Sequence, residues 1–159
     1  MRISTAILTS VATAAAATVG TLSARDGVAG WYPSLRKPRY TPPNVVIPIA
    51  WTTIYATVAL TSASTIDTLR ARGDDDQARR YAGALAANLT VNAGWSWLFF
   101  KAHKLGASAA VSTALLAGSV DLTRRTARVN PKGAVALGIF PVWSVLAAAL
   151  TTDIWRLNR

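Results

Sequence analysis

The chain has 159 residues, read as one domain over 1–159, and 15% of them are charged, against roughly 25% in an ordinary soluble domain. It has no cysteine, which excludes disulfides and thiolate metal sites. The formal charge of +10 raises the question of nucleic acid, but the 17 basic residues lie between long uncharged runs, a pattern that fits anionic lipid headgroups and no nucleic acid.

Those uncharged runs set the class. They are Ile3–Ala24, Tyr40–Ile66, Tyr81–Phe100, Leu105–Val120 and Gly133–Thr152, of 22, 27, 20, 16 and 20 residues. A membrane-spanning helix needs about 20. A soluble bundle would keep a charged stripe on each outward face, and no face of any run carries one. The expected fold is all-α, an integral, multi-pass membrane bundle of five transmembrane helices. At 22 residues the first run is longer than the roughly 7–15 of a signal h-region, so it is read as helix 1.

Helix 1 is built of Ala, Thr and Val with Gly20 near its end, residues small enough for close helix packing. The loop that follows is dense in Pro33, Pro38, Pro42 and Pro43 and in the cations Arg36, Lys37 and Arg39. Each proline fixes φ and removes a backbone donor, which suits a constrained lid better than a slack linker. The cations have two readings, as headgroup charges at the membrane edge or as partners for the carboxylates of an amphipathic ligand. Helix 2 is expected after Pro42-Pro43, with a kink at Pro48. Trp51 and Tyr55 are four apart and share a face.

The second loop, 67–80, is polar, and its Asp74-Asp75-Asp76 run reads as a solvated turn, since a cation cage needs spaced, convergent oxygens. In helix 3, Asn88, Asn92, Trp95 and Phe99 recur at i, i+4, i+7 and i+11 as one stripe. An unpartnered amide in lipid is costly, so both asparagines are expected to face the interior, bonded to another helix or to a ligand. Trp97 lies off the stripe and is expected toward lipid. His103, between Lys101 and Lys104, reads as a solvated loop residue. Helix 4 is rich in small residues and is a candidate dimer face. In helix 5, Phe140, Trp143 and Ala147 make a second aromatic stripe beside Pro141. Trp155-Arg156 reads as an interfacial end. Five spans place nine cations on one side and eight on the other, so charge does not orient the bundle and the membrane it occupies is not legible.

The chain resembles the TspO/MBR family, the tryptophan-rich sensory proteins and translocator proteins (peripheral benzodiazepine receptor-like). The residues that carry the resemblance run over nearly the whole chain: Trp31-Tyr32, Leu35, Lys37-Pro38, Pro42-Pro43, Trp51 with Tyr55, Asn92 with Trp95-Ser96, Phe99-Phe100, Pro131, Trp143 and Trp155-Arg156-Leu157-Asn158. The resemblance implies a homodimer of five-helix bundles, each with a pocket open toward the first loop. It implies a porphyrin such as protoporphyrin IX as ligand, and no covalent cofactor or metal. By position it places Tyr32, Pro42, Ile47, Trp51, Tyr55, Asn88, Asn92, Trp95, Phe140, Trp143 and Ala147 around that pocket, with Arg36 and Lys37 as loop cations. Trp51 and Trp143 match the pair linked to light-dependent porphyrin breakdown in bacterial relatives. The chain departs from the family pattern at Ile47, Asn88, Ile139-Phe140, Leu150-Thr151 and Thr152, the last standing where the family has a sterol-associated tyrosine.

Three functions follow. In the leading one the protein is a membrane tetrapyrrole-binding sensor or regulator, with aromatic faces for the flat macrocycle and basic loop groups for its acids. In the second it degrades porphyrin with light and oxygen. No acid–base pair or nucleophile triad accompanies that reading, so the chemistry would be that of the excited ligand, with Trp51 and Trp143 as oxidisable partners. The third is transport of porphyrin or lipid, for which neither inverted repeats nor intramembrane ion-coupling carboxylates are seen.

Overall fold

A computed structural model describes residues 2–159, and the elements it contains are helical. Helix α1 spans Ile3–Asp26 and runs on through a wide turn at Gly27–Trp31 and a tight one at Tyr32–Ser34. Helix α2 is Val46–Ala71 and α3 is Asp75–Ser96, which ends in a second wide turn at Trp97–Lys101. Helix α4 is Leu105–Ala127. The last span is broken in two, α5 at Pro131–Leu137 and α6 at Ile139–Leu157.

Four of these stretches are long and apolar enough to cross a membrane: Ile3–Ser34, Val46–Ala71, Leu105–Ala127 and Pro131–Leu157. The protein is a multi-pass membrane bundle of all-α class. Helix α3 connects the far end of α2 to the near end of α4 and so crosses with them. It is the most polar of the long helices, and it packs against α1, α2 and α4 at once. Protein neighbours replace lipid on its inward face, which is the condition under which amides are tolerated at that depth. The chain reversals put residues 32–45 at one end of the bundle, here the loop end, with the 102–104 turn and the C-terminus. The 72–74 and 128–130 turns lie at the opposite end.

The hydroxyl-rich helices are satisfied internally. Thr13 Oγ1 donates to the Thr9 carbonyl at 2.7 Å, and Thr53, Thr57, Thr61 and Thr65 donate likewise to carbonyls four residues back. Such back-bonding leaves no bare hydroxyl against an apolar surrounding. Thr9 also reaches across to the Ala59 carbonyl at 3.0 Å, tying α1 to α2. The buried face of α1 is Thr5, Thr9, Thr13, Ala16 and Gly20, small residues on one stripe, while Ile3, Leu8, Val11 and Leu22 are exposed outward. At the end of that stripe, a Cβ on Gly27 would stand 2.6 Å from the Phe100 carbonyl oxygen. Glycine there is what lets α1 meet the wide turn after α3.

Three local expectations change. Pro48 lies in the first turn of α2, where its missing N–H is an orphan in any helix, so it starts the helix rather than kinking it. The polar stretch 67–80 is mostly helix, and only residues 72–74 turn. Asp75 and Asp76 lie in the first turn of α3, where negative charge suits the positive end of the helix, and Asp76 pairs with Arg79. The last span breaks at Gly138, whose N–H bonds the Ala134 carbonyl at 3.0 Å and the Val135 carbonyl at 3.2 Å. Pro141 supplies the cause, because it cannot donate to the carbonyl of Leu137.

Candidate functional site

The inward stripe of α3 is built as its period requires. Asn88, Asn92 and Phe99 are buried and Trp95 is half-buried, while Trp97 is 49% exposed and faces outward. The stripe nevertheless meets two different surroundings along its length. In the middle of the bundle, Tyr55 of α2 donates its hydroxyl to Asn92 Oδ1 at 3.1 Å. Trp51 stacks on Tyr55 with ring centres 5.6 Å apart and 29° between planes. Trp51 and Trp143 both pack onto one buried cluster that contains Ile54, Val58 and Phe140. Ile47, Pro42 and Ala147 are half-buried.

Nearer the loop, a second cluster holds Tyr32, Phe99 and Ile154, with Trp31, Leu35, Trp95, Phe100 and Leu105 against it. Trp95 stacks on Phe99 at 5.4 Å, and Phe100 meets Phe99 edge-on at 4.8 Å. Edge-on and offset pairs of this kind are the favoured arrangements of aromatic rings. Trp31 stacks on His103 at 3.9 Å, so the histidine read as a plain solvated residue is a ring partner at the loop's edge. It adopts φ 53°, the left-handed region, to reach that position.

Asn88 sits apart from Asn92 in its partners. Its Nδ2 lies against Gly118 of α4, where a Cβ would be only 2.6 Å away. This residue therefore fills the α3–α4 contact, and the glycine makes room for it. Both Asn88 Nδ2 and Trp95 Nε1 are buried donors with no acceptor among the described residues. Buried donors are usually paired, so these two stand out on the stripe.

The proline-rich loop is latched to the C-terminal end of α6. The Arg36 N–H donates to Asn158 Oδ1 at 3.0 Å, and Asn158 Nδ2 donates back to the Arg36 carbonyl at 2.9 Å. The Tyr40 hydroxyl donates to Asp153 Oδ2 at 2.7 Å. That bond and the charge of Asp153 push the Tyr40 phenol above its ordinary value. Sequence reasoning missed Tyr40, Asp153 and Asn158, because nothing in either segment announces a partner more than a hundred residues away. The two loop cations differ. Lys37 Nζ donates to the Leu35 carbonyl at 2.9 Å and the Pro33 carbonyl at 3.2 Å and lies over the Tyr32 ring at 4.8 Å. Arg36 has its backbone held and its side chain exposed.

Comparison with known proteins gives one family and several named relatives. The family model described as TspO/MBR family matches residues 6–156. The protein CrtK of Rhodobacter capsulatus is 29% identical over 153 residues, covering 91% of this chain and 88% of the relative. The translocator protein of Ovis aries is 32% identical over 130 residues, covering 81% and 75%. The tryptophan-rich sensory protein of Cereibacter sphaeroides is 29% identical over 144 residues, covering 91% and 85%.

Proposed function

The chain belongs to the TspO/MBR family, and on that premise we propose that it binds a tetrapyrrole such as protoporphyrin IX inside the membrane and acts as its sensor. The observation that carries this reading is the linked set Trp51, Tyr55 and Asn92, with Trp143 and Phe140 on the same buried cluster. Stacked rings offer flat faces to a flat macrocycle. The unpaired donor Trp95 Nε1 on the same α3 stripe supports the reading, since it can donate to a polar ligand atom. At the loop end, the exposed Arg36 guanidinium is the group suited to a propionate, since it can form a paired fork with a carboxylate. Lys37 supports the site from behind, holding the loop through the Pro33 and Leu35 carbonyls. The loop acts as a lid whose closed form is fixed by Asn158 and Asp153. The printed name of one relative, a sensory protein, agrees with the sensing half of the proposal. A homodimer is proposed with it, to be read from the mass of the detergent-solubilised protein.

Titration of the solubilised protein with protoporphyrin IX in the dark, followed by tryptophan fluorescence, tests the reading. Saturable quenching is expected, with affinity falling about tenfold in Trp51→Phe or Trp143→Phe, the size of a lost stacking contact in a desolvated site. Quenching that never saturates, or that neither substitution weakens, overturns it.

A further inference from the structure

We infer that the end of the bundle opposite the loop holds a second ligand site, a basic cavity for a phosphate group. It is independent of the tetrapyrrole reading, because it shares no residue with that site.

The cavity has a volume of about 280 Å³ and lies where the α2–α3 turn meets the end of α4. That is below the roughly 300–1,000 Å³ of sites for drug-sized ligands, so it suits a small anion and not a macrocycle. Its floor is buried and fixed. Leu69 and Tyr81 are 3% and 2% exposed. The Tyr81 hydroxyl shares hydrogen bonds with Thr126 Oγ1 at 2.8 Å and Ser62 Oγ at 3.2 Å, locking α3 to α4 and α2 beneath the cavity. Three guanidiniums, Arg80, Arg125 and Arg128, line it, and no carboxylate does.

Three nearby carboxylates are already engaged, Asp121 with one of the lining guanidiniums itself and Asp76 and Asp74 within the start of α3. Asp121 holds Arg125, Oδ2 to Nε at 2.6 Å. Asp76 pairs with Arg79. Asp74 accepts from Gln77 Nε2 at 3.3 Å. Among the described residues, Arg80 and Arg128 have no ion-pair partner within 4.0 Å. Two guanidiniums without an ion-pair partner, from different helices, border one cavity with a third beside them, and positive charge contributed by two helices favours an anion there. A planar fork of N–H donors matches phosphate oxygens in pairs, which a single ammonium does not. The cavity stands at the membrane edge, so the phosphate can be that of a lipid headgroup or a free ion.

The test uses the full chain. Delipidated protein in detergent is given phosphatidic acid or phosphatidylcholine, and retained lipid is counted by native mass spectrometry. In parallel, inorganic phosphate is titrated calorimetrically against chloride at matched ionic strength. The wild type is expected to retain phosphatidic acid over phosphatidylcholine, to bind free phosphate, or both. Lipid retention alone identifies a headgroup site, and phosphate binding identifies a site for the ion itself. Arg80→Gln and Arg128→Gln are each expected to weaken the interaction about tenfold, as loss of a charge-assisted bond does. Arg124→Gln removes the same charge from the exposed face of α4 and is expected to leave it unchanged. Thermal melts check that each variant folds, and Arg80→Lys, which keeps the charge without the fork, is expected to retain part of the affinity. No binding in either arm, or equal weakening by Arg124→Gln, overturns the proposal.

Discussion

The two ends of this bundle are held together by different means. At the loop end, rings do the packing: Trp31, Tyr32, Trp95, Phe99 and Phe100 interlock, and among the described residues the hydrogen bonds that tie the loop to the rest of the chain are exposed ones at Arg36 and Tyr40. At the opposite end a buried hydroxyl network through Tyr81 joins three helices, Arg70 bonds to Thr5 and the Arg2 N–H to Asp67. Surface bonds contribute little, because water competes for both partners. Buried ones cannot be given up without leaving a polar atom unpaired. The contrast implies that thermal opening starts at the loop end, while the opposite end stays shut.

Three substitutions break or sharpen that contrast. The largest effect is expected from Gly27→Ala, since the new methyl meets a backbone oxygen that cannot move aside. Overpacking of this kind costs about 1–3 kcal/mol. The loop end should loosen, seen as a lower melting temperature and faster hydrogen exchange at residues 27–45, with residues 60–85 unchanged. Exchange rising equally at both ends would show that the ends are one cooperative unit.

Tyr81→Phe should act on the other end alone. It strands the hydroxyls of Ser62 and, less so, Thr126, which retains its own bond to the Leu122 carbonyl at 2.9 Å. Hydrogen bonds within membrane bundles contribute on average about 0.6 kcal/mol, so a loss near 1 kcal/mol is expected for the pair. The melting temperature of the solubilised protein measures it.

The smallest effect concerns the proline-rich loop. Tyr40 is held protonated by Asp153, so its folded pKa lies above the unfolded value. The latch is therefore complete below the ordinary tyrosine range near 10 and is lost as pH rises through the raised folded value. Proteolysis at Arg36 and Arg39 should be slow and flat through neutral pH and accelerate only in strong base. Tyr40→Phe should remove that dependence, with a small rise in cleavage at neutral pH. A variant that keeps the basic-pH acceleration would place the titrating group elsewhere.

Much of this was legible without coordinates. The uncharged runs located each long helix, with helix ends displaced by several residues, because the bilayer sets roughly how many residues a helix needs. The stripe Asn88, Asn92, Trp95, Phe99 was legible because 3.6 residues per turn puts those positions on one face. Trp97 was placed outward by the same rule. What the period cannot supply is the partner. Asn88 and Asn92 share a face, yet one meets Gly118 of α4 and the other Tyr55 of α2.

The amino-acid sequence by itself therefore determined the class of the protein, the approximate position of its long helices and the inward face of α3, since these follow from local periodicity and the apolar thickness to be crossed. The tertiary structure alone decided which faces meet. The latch of Arg36 and Tyr40 on Asn158 and Asp153, the close passage of Gly27 over Phe100, and the convergence of Arg80 with Arg128 each join residues far apart in the chain. Their geometry depends on how whole helices lie against one another, and no local stretch of sequence contains that information.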